Sequence, residues 1–238
     1  MKLYICNDVR IARWRKYILS DKKLSLAFAK KCISDFIGEK EQDVEIVFTK
    51  NEYGKPFVAS IYKIIRDKNK EESGKIKMDI PLFFSLSHSD NMMVCAVACF
   101  NIGADCQKKN IKIDDIGKCR KIAGRFFTEQ ENIFLDNLTE EQKYIDNFFK
   151  IWTKKEAYIK YTGKGLSEGL QTFLVASETR QKSYCGEVYF NRIHLDGLKT
   201  PKIPRKSKKP GKTEKDDFLI YLCYNKSNKS IWQVKYFN

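Results

Sequence analysis

FFKIWTKKEAYIKYTGKG, residues 148–165, has the period of an amphipathic helix that packs on a core. Ile145, Phe148, Phe149, Trp152 and Ile159 recur at spacings of three, four and seven, and Gly163-Lys164-Gly165 supplies a stop. Glu156 falls on the same stripe, four residues after Trp152 and three before Ile159. A carboxylate turned toward a core is costly unless a cation answers it. From the helix alone two readings stand open. Glu156 pairs with Lys160 on the helix flank, or it is a metal ligand or general base. Upstream, Thr128-Glu-Gln-Glu131 and Thr139-Glu-Glu-Gln142 both have the S/T-x-x-E/Q form of a capping box, so two helices are expected, the second running to about Thr162.

The rest of the chain alternates between helical and strand-like stretches. Residues 21–37 have near-helical apolar spacing, and residues 2–6 and 44–49 read as strands. Asn51 to Pro56 (NEYGKP) is a turn built on Gly54 and Pro56. The charged stretch 65–79 reads as a loop. Residues 83–86 lead into a Ser87-His88-Ser89 turn, and 92–100 read as a buried strand. Residues 173–175, 185–190, 218–224 and 231–237 are further strand candidates. This mixed order, with hairpin-like pairs late in the chain, predicts an α+β fold rather than a doubly wound sheet.

With 238 residues, the chain can form one large domain or two of roughly 100–120 residues. Its 42% hydrophobic content is enough for a real core and argues against a disordered class. No run approaches the ~18 apolar residues of a membrane-crossing helix, and the first apolar segment is too short for a signal peptide. The eight cysteines are scattered with no zinc spacing, so core thiols in a reducing, cytoplasmic compartment are expected. The net charge of +15 points to anionic partners: nucleic acid, phosphorylated ligands or acidic proteins. Residues 199–215 hold eight Lys or Arg against Glu214, +7 of that total, and three of the five prolines. This stretch reads as a solvated, flexible insertion.

Candidates for chemistry lie outside that insertion. Asp105 follows a strand-like run, and Gln107, two residues on, shares its side of an extended chain. A carboxylate and an amide oxygen on one side suit Mg²⁺, which takes one or two carboxylates and fills its other positions with water and phosphate oxygens. A turn-forming Asp is the alternative. His88 between two serines offers an imidazole and hydroxyls to an anion, but no G-x-S-x-G elbow supports a hydrolase. No P-loop or G-x-G-x-x-G is present. Nucleotide contacts would fall to scattered cations such as Arg13, Lys16, Lys22, Lys23, Lys31, Lys55 and Lys160.

Taken together, NEYGKPFV (51–58), FFSLSHSDNMMVCAV (83–97), NIGADCQ (101–107), RFFTEQE (125–131) and the stretch from residue 148 to 175 resemble the ordered motif series of Sfp-type 4'-phosphopantetheinyl transferases. The resemblance covers roughly residues 44–175. It implies two similar α+β halves arranged as a pseudo-dimer, 1–101 and 102–238, with coenzyme A between them and a basic insertion at about 199–216. It implies Mg²⁺ held by Asp105, Glu156 and Gln107, with Glu156 and Lys160 as the catalytic pair. Lys55, Ser87, His88, Lys160, Lys22 and Lys23 would contact coenzyme A. The implied partner is an apo acyl or peptidyl carrier protein, and a monomer would suffice. Gln107 stands where the family often has Glu, which removes one negative charge from the site. Two rival expectations are a basic nucleic-acid-binding module and a relative that binds coenzyme A or carrier without turnover.

Overall fold

A computed structural model describes residues 1–7, 21–66, 74–109, 116–175, 187–195, 218–228 and 232–237. The first sheet forms around β6 (Met92–Ala98), in which every residue is buried. Such a continuous apolar run suits a strand covered on both faces. β6 lies between β1 (Lys2–Asn7) and β5 (Phe83–Ser89), antiparallel to both, and β10 (Gln233–Phe237) joins β1 in parallel. Alternation then sorts the side chains. Tyr4, Cys95 and Val97 face the helix α1 (Asp21–Ile37) through Ala29, Cys32 and Ile33. Leu3, Ile5, Val94 and Ala96 face a second sheet.

That second sheet has the order β7-β9-β8, from β7 (Ile102–Lys108), β9 (Phe218–Asn225) and β8 (Val188–Arg192), all antiparallel. Ile102, Ala104 and Cys106 of β7 belong to the core shared with the first sheet. Behind this sheet lie α2 (Ile116–Phe126), α3 (Glu129–Asp136) and α4 (Glu141–Thr162), whose apolar residues build a third core around Phe148, Phe149 and Ile151. A further antiparallel sheet of β2 (Val44–Lys50), β3 (Pro56–Ile65) and β4 (Gly74–Met78) packs over α1's core through Phe48, Val58 and Ile61. The architecture is α+β, as expected from the sequence. Among the described residues, no helix is long and apolar enough to cross a membrane.

Several local expectations are corrected. The Ser-His-Ser segment is not a turn. It completes β5, and the hairpin turns at Asp90-Asn91, where Asp90 takes φ 52°. Asp tolerates that left-handed geometry better than most residues. Within the predicted loop 65–79, residues 74–78 form β4, whose alternation Lys75-Ile76-Lys77-Met78 suits an edge strand. Residues 173–175 are not a strand, and they follow a 3₁₀ turn at Leu170–Thr172. The capping box at Thr128 and Glu131 is present in full. That at Thr139 is absent, because α4 starts at Glu141 and its N-cap position falls on Glu140, one residue late for Thr139. The basic stretch 199–215 and Cys185 lie outside the described residues.

Candidate active site

The site forms where β7 crosses under α4. Gly103 makes the crossing possible: a Cβ there would sit 1.9 Å from the Ala157 carbonyl oxygen and 2.5 Å from the Tyr161 nitrogen. With glycine, the helix backbone rests directly on the strand. Two residues along the same face, Asp105 then meets Lys160 of that turn of the helix. Its Oδ1 accepts from Lys160 Nζ at 2.6 Å and from Ser87 Oγ at 2.6 Å, and Lys160 Nζ also donates to Ser87 Oγ at 3.0 Å. Asp105 is 4% exposed, and its Oδ2 is buried with no hydrogen-bond partner among the described residues.

Ser87 reaches Asp105 through a seam between two sheet edges. β5 and β7 are the outer strands of their sheets. The backbone N–H groups of Ala104, Cys106 and Lys108 donate to the hydroxyls of Ser85, Ser87 and Ser89 at 2.9, 3.2 and 2.9 Å. Alternate residues on each strand meet in register, so serine side chains satisfy edge donors that would otherwise need a strand.

Glu156, one turn before Lys160, is half-buried. Burial pushes its carboxyl pKa up, and the Asp105 charge pushes the same way against the pull of Lys160. Burial pulls the Lys160 ammonium down, but Asp105, by charge and hydrogen bond, and then Glu156 outweigh it, so Lys160 is held more firmly protonated than usual. One ammonium is therefore bonded to the Asp105 carboxylate and feels the charge of Glu156, which lines the cleft above with Lys160. An orphaned carboxylate oxygen beside a desolvated second carboxyl is a donor set that fits a hard divalent cation needing only one or two protein carboxylates. Half-buried Gln107 follows on Asp105's face of β7. Among the described residues, no three His, Cys, Asp or Glu side chains converge as a closed metal site.

The cleft has a volume of about 400 Å³ and opens onto Glu156 and Lys160, with residues 53–56, 84–86 and Leu166 as walls. The turn wall docks on the C-terminus of α4. Asn51 Oδ1 accepts from the N–H groups of Tyr53 and Lys55, its Nδ2 donates to the Gly163 carbonyl at 2.8 Å, and Gly163 closes the helix at φ 77°. Lys55 Nζ donates to Asn101 Oδ1 and the Tyr161 carbonyl, and burial lowers its pKa to about 8. A larger cleft of about 520 Å³ lies across the same turn, but neither Asp105 nor Glu156 lines it.

The structure thus brings together Asp105, Glu156, Lys160 and Ser87, with Lys55 at the mouth. His88 is exposed on the opposite face of β5 from Ser87. Lys22 and Lys23 lie in the first turn of α1, and their side chains are outside the described residues. Sequence reading had given no role to Gly103, Ser85, Asn51 or Asn101. The alternation Ser85-x-Ser87-x-Ser89 was the available signal for the seam. It also missed the pair behind the site: Lys155 and Glu131, each fully buried, meet at 2.8 Å, and Lys155 also donates to the carbonyls of Leu170 and Phe173.

Residues 101–207 match the family model of the 4'-phosphopantetheinyl transferase superfamily. The chain is 35% identical over 136 residues to the 4'-phosphopantetheinyl transferase gsp of Aneurinibacillus migulanus, covering 57% of this chain and 46% of that protein. It is 30% identical over 163 residues to the 4'-phosphopantetheinyl transferase Sfp of Bacillus subtilis, covering 67% and 53%. It is 41% identical over 88 residues to the 4'-phosphopantetheinyl transferase HetI of a Nostoc species, covering 37% and 35%. The matches span at most about half the length of these curated relatives. The segment that carries Asp105, Gln107, Glu156 and Lys160 thus matches the 4'-phosphopantetheinyl transferase superfamily model, and the chain around it is similar to transferases of the Sfp type.

Proposed function

We propose that this protein transfers the 4'-phosphopantetheine group of coenzyme A to a serine of an acyl or peptidyl carrier protein, releasing 3',5'-ADP. The observation that carries the reading is the pairing of buried Asp105 with Lys160 directly beneath a cleft lined by Glu156, Lys160 and Lys55. The superfamily match over these residues supports it. The same reading takes the fold as two similar halves, 1–101 and 102–238, with coenzyme A between them. The meeting of the β5 and β7 edges beside the cleft is in keeping with that arrangement.

In the reaction the carrier serine oxygen forms a bond to the β-phosphorus of coenzyme A, and the bond to the bridging oxygen of the leaving 3',5'-ADP breaks. Such a transfer asks the protein mainly for positioning and for neutralisation of phosphate charge. Glu156, whose desolvated carboxyl has a raised proton affinity, takes the serine proton directly or through a water. Base catalysis of this kind contributes about 10²–10⁴ in rate. Lys160, kept charged by the carboxyls, faces the pyrophosphate, while Lys55 stands beside the nucleotide. Asp105 and Glu156 would hold Mg²⁺, with Gln107 as a direct or water-bridged third ligand, and the ion supplies neutralisation of the pyrophosphate charge. A carrier serine on an acidic helix would be steered by the chain's positive charge outside the insertion.

Incubating the protein with coenzyme A, Mg²⁺ and an apo carrier is expected to yield a carrier heavier by one phosphopantetheine in intact-mass measurement. Glu156→Gln and Asp105→Ala are each expected to cut the rate by at least about a hundredfold, with unchanged circular dichroism. Full activity in either variant would refute the assignment of the site.

A further inference from the structure

The resemblance that named Ser87 as a coenzyme A contact implies that its hydroxyl binds phosphate. The geometry points to another role, and we propose that Ser87 is a positioning residue that holds Asp105 for a divalent cation. This inference rests on the metal reading given above.

A hydroxyl has one proton to donate and two lone pairs to accept with. All three are engaged inside the protein. Ser87 Oγ donates to Asp105 Oδ1 at 2.6 Å, accepts from the Cys106 N–H at 3.2 Å, and accepts from Lys160 Nζ at 3.0 Å. The residue is 7% exposed. A phosphate oxygen could be bound only by displacing one of these partners, and each is itself buried or charged.

What the three bonds achieve is visible on Asp105. Both Ser87 and Lys160 bind the same carboxylate oxygen, Oδ1, which fixes the rotation of the carboxyl group. Oδ2 is left with no protein partner in a buried position. A carboxylate oriented through one oxygen presents the other to a ligand, which is how outer partners of metal sites work. The Cys106 N–H fixes Ser87 in turn, because it comes from the residue adjoining Asp105 on the strand.

The neighbours on β5 provide built-in controls. Ser85 and Ser89 accept the same kind of bond from the Ala104 and Lys108 N–H groups, but Asp105 Oδ1 is bonded by Ser87 and Lys160 and not by them. A seam-only role predicts equal effects at all three serines. A positioning role predicts an effect confined to Ser87.

The test is Mn²⁺ binding to the protein alone, followed by the loss of the free-ion electron paramagnetic resonance signal, in the parent and in Ser85→Ala, Ser87→Ala, Ser87→Thr and Ser89→Ala. Ser87→Ala is expected to weaken Mn²⁺ binding by about 10- to 100-fold. Ser87→Thr, which keeps the hydroxyl, is expected to restore most of it, and the alanines at 85 and 89 to leave Mn²⁺ affinity unchanged while lowering thermal stability through the lost seam bonds. In turnover, Ser87→Ala is then rescued by raised Mg²⁺, with little change in KM for coenzyme A. Unchanged Mn²⁺ affinity in Ser87→Ala, with a raised KM for coenzyme A, overturns the proposal in favour of a phosphate contact. Equal weakening in all three alanine variants also overturns it, in favour of a purely structural seam. A parent protein that binds no Mn²⁺ while still modifying a carrier with coenzyme A in chelator overturns the metal reading on which the proposal stands.

Discussion

Lys55 shows how burial converts an ordinary surface cation into a pH-dependent one. Its ammonium is held against the carbonyl end of α4 by the Tyr161 carbonyl and Asn101, and burial lowers its pKa to about 8. An anionic ligand favours the charged form, so its affinity falls as pH rises and that charge is lost. Coenzyme A affinity, measured by calorimetry at pH 7, 8 and 9, is therefore expected to drop as pH rises through about 8. Lys55→Met is expected to bind about tenfold more weakly at pH 7, the scale of one charged hydrogen bond, and to show a flatter profile. At this scale the sequence was informative about Glu156, because a carboxylate on an apolar stripe is visible in one helix. It was silent on the Asp105–Lys160 bond, which joins residues 55 positions apart. It also suggested Glu156–Lys160 pairing as an alternative, whereas the ammonium reaches across to the strand.

At the level of elements, α4 is fixed from two sides. Gly103 lets its backbone settle on β7, and Lys155 ties its far side to Glu131, Leu170 and Phe173. Adding even a methyl group at residue 103 forces the helix from the strand. Gly103→Ala is expected to lower the thermal midpoint and to abolish transfer in the same variant, read by circular dichroism melting and by carrier mass. Lys155→Met leaves the Glu131 carboxylate buried without its cation, and the expected loss is about 3–5 kcal/mol in urea denaturation. Thr128→Ala removes a cap whose hydroxyl and partner carboxylate satisfy each other's amides, with an expected loss of about 1 kcal/mol. Periodicity and capping made α1, α3 and the C-terminal end of α4 legible. The Lys155–Glu131 pair was not, since two of the residues most often found exposed are here both fully buried. β4 was missed for the opposite reason: its lysines read as a solvated loop, although alternation with Ile76 and Met78 is what an edge strand needs.

Among the described residues, two of the three sheets share one core, with helices outside each, and the cleft opens beside the place where their edges meet. The mixed class was readable from the order of periodic segments. The pairing of β5 with β7 through serine hydroxyls was not, because no backbone ladder joins them and sequence patterns report only ladders and faces. The net charge also needs dividing at this scale. Removing residues 199–215 takes +7 from +15 and leaves +8. That deletion is expected to abolish salt-sensitive binding to nucleic acid in gel-shift measurements, while carrier modification continues.

The parallel pairing of β1 with β10 joins Lys2 to Gln233 and Cys6 to Phe237. During synthesis, then, β1 must wait for a strand made some 230 residues later before its outer edge is covered. Until that moment a strand containing Leu3, Tyr4 and Ile5 presents open amides and carbonyls to any passing extended chain. Such remote closure slows folding, and it makes the nascent protein a natural client for chaperones that shield unpaired edges.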